Sequence, residues 1–353
     1  MSERRTAAAA APALMPLHIA VDARDLSQDA RGIGRYVRAI LTRFAQRGDV
    51  RLTLLVRDVF PLRLRRMLGG AIGAGEAAVT RRVPRDADVL WHPWNGTFFA
   101  GRAPAAATIH DVAPFAFPAA DAARRASQQR PFVRTAATAR AIVCDSAFTA
   151  AEVRRYLRVD GTPLHTVALG VDAAFAPGPP DALPPAARNR KYVLYVGAHD
   201  AHKNVGTLVR AFRATLAGTY TLVFTRPDPR VPEALVCADL GTAELVALYR
   251  GATLVAVPSL YEGFGLPVLE AMACGAPVLA SRAASLPEVG GEAIRYVDAP
   301  DDAAAWTRAL GELASDAEAR ADLAARGPLR AAAFTWERCA AETLAVLRAV
   351  AAA

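Results

Sequence analysis

Lysine is nearly missing from this chain of 353 residues: of 42 basic side chains only Lys191 and Lys203 are lysine, and the rest are arginine. A composition this rich in arginine and alanine is what a GC-rich coding sequence produces, so a lysine standing against the bias draws attention. Cysteine is scarce as well. Cys144, Cys237, Cys274 and Cys339 are widely spaced and form no CxxC pair, which argues against a disulfide framework or zinc site and fits small buried side chains in a reducing cytoplasm. No apolar run approaches the roughly 20 residues that span a bilayer; the uncharged stretch ATLVAVPSL (252–260) is far shorter. A helical integral membrane protein is excluded. The opening MSERRTAAAAAPALMP imitates a secretory leader, but Pro12 and Pro16 break it and LHIAVDA follows at once, so residues 1–15 read as a disordered leader.

What is present is a strongly apolar chain, 53% hydrophobic and 22% charged, long enough for two cores. The formal net charge of +8 and pI near 9.7 suggest an anionic partner without choosing among nucleotide, nucleic acid and acidic membrane. From Leu17 to Leu169, β-rich runs (LHIAVDA, RLTLLVR, DVLWHP, AAATIHDV, AIVCDS, LHTVAL) alternate with helical patterns such as Ile33, Tyr36, Val37, Ile40, Leu41 and Phe44. A proline-rich stretch without periodicity follows, and then a second alternating series: YVLYVGA, YTLVFTR, ATLVAVPS, APVLASR and AIRYVDA, with helices between them and alanine-rich helices after them. Alternation of this kind predicts α/β architecture: two doubly wound Rossmann-like domains facing a cleft. The expected boundaries are 16–175 for the N-terminal domain, 176–190 for the linker, 191–335 for the second domain, and 336–353 for a C-terminal helix packing back toward the first.

Ligands of such sheets lie beyond the carboxyl ends of the strands, which directs attention to four loops. After AVDA, Gly32 and Gly34 lead into a helix, where free N–H groups attract anions; the spacing is not a dinucleotide fingerprint. After the strand ending TI come His110 and Asp111, suited to orienting a hydroxyl or meeting developing charge; His92 is similarly placed. After YVGA, Asn204 reads as a helix N-cap, which sets the Lys203 ammonium beside a helix N-terminus and makes a candidate diphosphate site. After AVPS, LYEGFGLPVLEAMACG sets Glu262 and Glu270 on either side of a Gly-Phe-Gly-Leu-Pro bend. Pro267 fits a first helical turn and Glu270 gains from the helix dipole there. Glu262 has no such local reason. The pair, with glycines that let backbone N–H groups come close, suits a nucleotide sugar.

Here the sequence resembles a known family. EGFGLPVLE, with seven residues between its glutamates, is similar to the E-x7-E signature of the retaining glycosyltransferases of family four, and supporting stretches run from VDARDLSQDARGIGRYV through HDVAPFAFP, VCDSAFTAAEV, VALGVDAAF and VGAHDAHKN to SLPEVGGEAIRYVDAPD. The resemblance implies the two-domain GT-B fold, with acceptor bound by the first domain and donor by the second. It implies that Glu270 binds the donor ribose, that Glu262 with Gly263, Phe264, Gly265 and Leu266 lies against the transferred sugar and diphosphate, and that Lys203 neutralises the leaving group. His110 would lie near the reacting sugar, and Gly32, Gly34 and Asp111 near phosphates and acceptor. One departure stands out: an arginine common five residues before the lysine is Ala198 here, and Arg226 is the candidate replacement.

The expected reaction is a retaining hexosyl transfer from a nucleoside-diphosphate sugar, GDP-mannose ahead of UDP-sugars, to a glycan or lipid-linked acceptor in lipopolysaccharide O-antigen or related polysaccharide synthesis. The rivals are a nucleotide-sugar epimerase of the same fold and a non-catalytic sugar-nucleotide binder. No cofactor, metal or nucleic-acid partner is expected; the D-x-D at Asp86 and Asp88 precedes a strand and so faces the wrong edge of the sheet. The segment PLRLRRMLGGAIG (61–73) reads either as an ordinary domain helix or as a surface helix resting Arg63, Arg65 and Arg66 on anionic lipid, which would place the protein peripherally on the cytoplasmic membrane.

Overall fold

A computed structural model describes residues 15–26, 32–56 and 77–353. Most of the expected leader, and the basic segment with Arg63, Arg65 and Arg66, lie outside the described residues. Among the described residues no helix is long and apolar enough to cross a membrane.

Two parallel sheets carry the chain. The first contains β1 (Leu17–Asp22), β2 (Val50–Leu55), β3 (Ala77–Thr80), β4 (Val89–His92), β5 (Ala105–Ile109), β6 (Ala139–Cys144) and β7 (Leu164–Thr166), in the order β3-β2-β1-β4-β5-β6-β7. The second contains β8 (Tyr192–Tyr195), β9 (Thr221–Phe224), β10 (Leu235–Val236), β11 (Leu254–Val257), β12 (Val278–Ser281) and β13 (Arg295–Val297), in the order β10-β9-β8-β11-β12-β13. Both are doubly wound, and the strand order reverses between β1 and β4 in one and between β8 and β11 in the other. Strands buried on both faces read as unbroken apolar runs, and β4, β8, β11 and β12 are buried at every residue.

The helix Gly32–Ala45 buries Tyr36, Val37, Ile40, Leu41 and Phe44, the stripe expected from its spacing. The helix Ala122–Thr138 has no such stripe, because only Phe132 and Thr135 are buried. All four cysteines are free and buried. Asp86 and Asp88 lie at the amino edge of the first sheet: Asp88 accepts from the His18 amide at 2.8 Å and Asp86 pairs with Arg51 at 2.7 Å.

The chain passes between the domains twice, side by side. The Val171 amide donates to the Phe334 carbonyl, and the Trp336 indole donates to Asp172 at 3.0 Å. A Cβ on Gly170 would fall 2.2 Å from the Trp336 nitrogen, so only glycine fits that crossing. The final helix, Trp336–Ala352, then lies against the helix Gly32–Ala45 and strands β4, β5 and β6 of the first domain. The linker is pinned by Arg250, which donates to the carbonyls of Ala176 and Pro179.

Candidate active site

A cavity of about 1020 Å³ lies between the domains at the carboxyl ends of both sheets. From the first domain it is lined by Gly32, Arg35, His110, Asp111 and Asp145, and from the second by Ala198, Lys203, Arg226, Ser259 and the run Glu262–Pro267 with Glu270. Of the loop residues singled out from the sequence, Gly32, His110, Asp111, Lys203, Arg226, Glu262, Gly263, Phe264, Gly265, Leu266 and Glu270 therefore reach one space, whereas Gly34, His92 and Asn204 do not line it. Gly34 is buried within its helix; His92 is fully buried, 3.6 Å from Asp22.

The two glutamates are each held by a cation. Glu262 takes the Lys203 ammonium at 2.8 Å on one oxygen and the Ser259 hydroxyl at 2.7 Å on the other, so its carboxylate is fixed at the mouth of the bend. Glu270 is only 2% exposed. Its oxygens receive Arg35 from the opposite domain and the Tyr249 hydroxyl, the latter at 2.8 Å. Burial raises the Glu270 carboxyl above its ordinary range, and Arg35 and Tyr249 oppose that shift.

Local backbone explains the bend. Gly265, at φ +109°, is the N-cap of the helix Leu266–Ala273, with Pro267 in its first turn where a missing N–H costs nothing. Gly263 faces the first domain so closely that a Cβ would lie 1.8 Å from the His110 carbonyl. Its own carbonyl accepts from Ser146 at 2.6 Å and Thr149 at 3.0 Å. Gly263 thus lets the bend touch the other domain. A Cβ on Gly32 would meet Leu266 at 3.2 Å, which sets the helix N-termini of the two domains side by side.

Asn204 corrects one expectation. It sits at the N-cap position before the helix Val205–Thr215, but in the left-handed region at φ +54° and without a side-chain cap bond. Its amide donates to the Pro300 carbonyl and its oxygen accepts from the Thr207 hydroxyl. Lys203 ends the short 3-10 turn Ala201–Lys203 just before that helix, so its placement beside a helix N-terminus holds.

His110 is committed to the protein at both ring nitrogens: Nδ1 lies 2.7 Å from Asp145 and Nε2 3.0 Å from the Pro93 carbonyl. Burial alone would lower its pKa, but two acceptors in line with the ring more than offset this and raise it. Burial also raises Asp145. The Tyr36 ring packs edge-on against the imidazole at 4.9 Å between centroids. The ring is therefore fixed in the cavity wall with both nitrogens engaged, and it has no free lone pair for a base.

Sequence reasoning missed Arg35, Asp145 and Tyr249. Asp145 follows β6 in the same carboxyl-edge position as His110 after β5 and was open to the same argument; Tyr249 lies in a helix with no local sign of function. Arg35 carried a signal: a cation in the first turn of a helix opposes the dipole.

Residues 190–316 match the family model described as Glycosyl transferases group 1. The chain is 30% identical to O-antigen chain mannosyltransferase B of Escherichia coli over 194 residues, 48% of this chain and 51% of that protein; the match spans about half the relative's length. Among solved structures, Anabaena HepE in complex with UDP and glucose superposes with a TM-score of 0.73 at 14% identity, over 94% of this chain and 100% of that one. Sucrose-phosphate synthase from Thermosynechococcus elongatus does so at 0.71 and 20% identity, over 96% and 100%. At those identities the likeness carries the fold. The second domain of this chain is thus similar to group 1 glycosyltransferase domains over residues 190–316, and the two doubly wound domains together have the GT-B architecture.

Proposed function

We propose that the protein is a retaining hexosyltransferase that moves mannose, from GDP-mannose ahead of UDP-sugars, to a glycan or lipid-linked acceptor in cell-surface polysaccharide or lipopolysaccharide synthesis. The observation that carries the reading is the convergence of Glu262, Glu270 and Lys203 on one interdomain cavity at the carboxyl ends of both sheets. The choice of mannose is supported by the likeness to a mannosyltransferase.

In this reading the ribose diol donates to Glu270, whose oxygens keep lone pairs beyond those used by Arg35 and Tyr249. The diphosphate lies at the N-terminus of the helix Leu266–Ala273, within reach of Lys203. As the glycosyl bond breaks, positive charge grows on the sugar and negative charge on the departing phosphate. Lys203 and the helix N-terminus stabilise the latter without reorganising. The leaving phosphate takes the proton of the acceptor hydroxyl, which attacks from the same face and retains the anomeric configuration. The diphosphate charge is met by protein cations, and the D-x-D aspartates are committed to His18 and Arg51 at the far sheet edge.

A thermal-shift panel tests this. GDP-mannose or another nucleotide sugar should raise Tm, by an amount equivalent to about 2.7 kcal/mol at a hundred times Kd, and Glu270→Ala should lose most of the shift. A panel in which no nucleotide sugar stabilises the protein, or one that stabilises the variant equally, refutes the donor assignment. NMR of the product formed with the stabilising donor reads the anomer, and an inverted product refutes retention.

A further inference from the structure

Arg35 stands where helix physics argues against it. It occupies the first turn of the helix Gly32–Ala45, a turn with no acidic residue to compensate, so its charge adds to the positive helix end. Its partner is in the other domain: the guanidinium crosses the cleft to the buried Glu270 carboxylate, while its own side chain remains 30% exposed along the cavity wall. A single cation thus ends a helix of one domain and neutralises the ribose-grip carboxylate of the other.

We propose that Arg35 is the positioning residue of the donor site, acting through Glu270: it completes the ribose grip from across the cleft, so that the second domain alone holds an unfinished site. The inference rests on the assignment of Glu270 to the donor ribose. Three observations support it. Glu270 is buried enough that a lone carboxylate there would be strongly disfavoured, and a buried ion with its partner removed tends to take up a proton or shift. Tyr249 holds the second oxygen from within the same domain, so among the described residues Arg35 is the hydrogen-bonding or ionic contact of the Glu270 carboxylate that depends on the domains being together. Each carboxylate oxygen still has a lone pair after these bonds, enough for two vicinal hydroxyls. A charged acceptor makes the stronger hydrogen bonds, so the diol is held best when Arg35 keeps the carboxylate ionised and oriented. The residue expected at Ala198 would serve the diphosphate; Arg35 serves the other end of the same nucleotide.

A double-mutant cycle on the full chain decides this, with GDP and UDP as the probes and Kd read by calorimetry. Arg35→Met should weaken the better-bound nucleotide about tenfold or more, and Arg35→Lys should restore part of the loss. In a Glu270→Gln background, Arg35→Met should cost no more than about twofold, because its target charge is already gone. An equal loss in both backgrounds would show that Arg35 meets the phosphates directly and would overturn the proposal, as would unchanged affinity in Arg35→Met alone. Failure of the unmodified protein to bind either nucleotide is a different result, and overturns the donor assignment together with this inference. Circular dichroism on each variant identifies one that has not folded, and Glu270→Gln with Arg35→Lys then supplies the cycle.

Discussion

At the scale of single residues, His110 shows how tertiary contacts redefine a side chain that sequence marks as chemical. Its position after β5 was legible, since the carboxyl end of a doubly wound strand is where ligands gather. Its partners were not, because Asp145 is 35 residues away and Pro93 is 17. The raised pKa gives a signed expectation. Stability from the charged imidazole is fully present below the unfolded pKa of about 6.5 and is lost as pH rises through the higher folded value. The Tm advantage of the unmodified protein over His110→Gln should therefore be larger at pH 6 than at pH 9; a constant difference would mean that the ring is held neutral. Glu262 was the residue without a local excuse, and the structure supplies a partner rather than an excuse: the Lys203 ammonium, one of the two lysines in the chain.

At the scale of elements, the helix Ala147–Tyr156 is capped twice. Ser146 accepts from the Thr149 amide in the ordinary way, and Glu288 of the second domain accepts from the Ala147 and Phe148 amides at 2.8 and 2.7 Å. A carboxylate on a helix N-terminus is stabilising, and here the stabilisation binds one domain to the other. Glu288→Gln should cost about 1 kcal/mol of that contact, a factor of roughly five in the balance between closed and open clefts. Small-angle scattering should register a larger radius of gyration in the variant with little change in circular dichroism; an unchanged radius would show that the cap does not hold the cleft. Elements with a strong stripe or unbroken apolar run, such as the helix Gly32–Ala45 and β11, were readable because periodicity records which face is buried. β3, β10 and the helix Ala122–Thr138 were not. No residue of β3 is fully buried and β10 is only two residues long, and the helix buries too little to leave a period.

At the scale of the whole molecule, two adjacent chain crossings and the docked C-terminal helix join the domains. Gly170→Ala forces a Cβ into the backbone of Trp336. Such overpacking costs about 1–3 kcal/mol or more, so Tm should fall by several degrees, and a neutral substitution would mean that the crossing yields easily. Sequence alone determined the two alternating series, the proline-rich link between them and the E-x7-E spacing, because periodicity, proline and a short motif are local properties of the chain. Only the tertiary structure decided which charges meet. Arg35 finds Glu270 and Glu288 finds the helix Ala147–Tyr156 across distances of 235 and about 140 residues, and no local pattern encodes a contact that exists only when two separately folded sheets face each other.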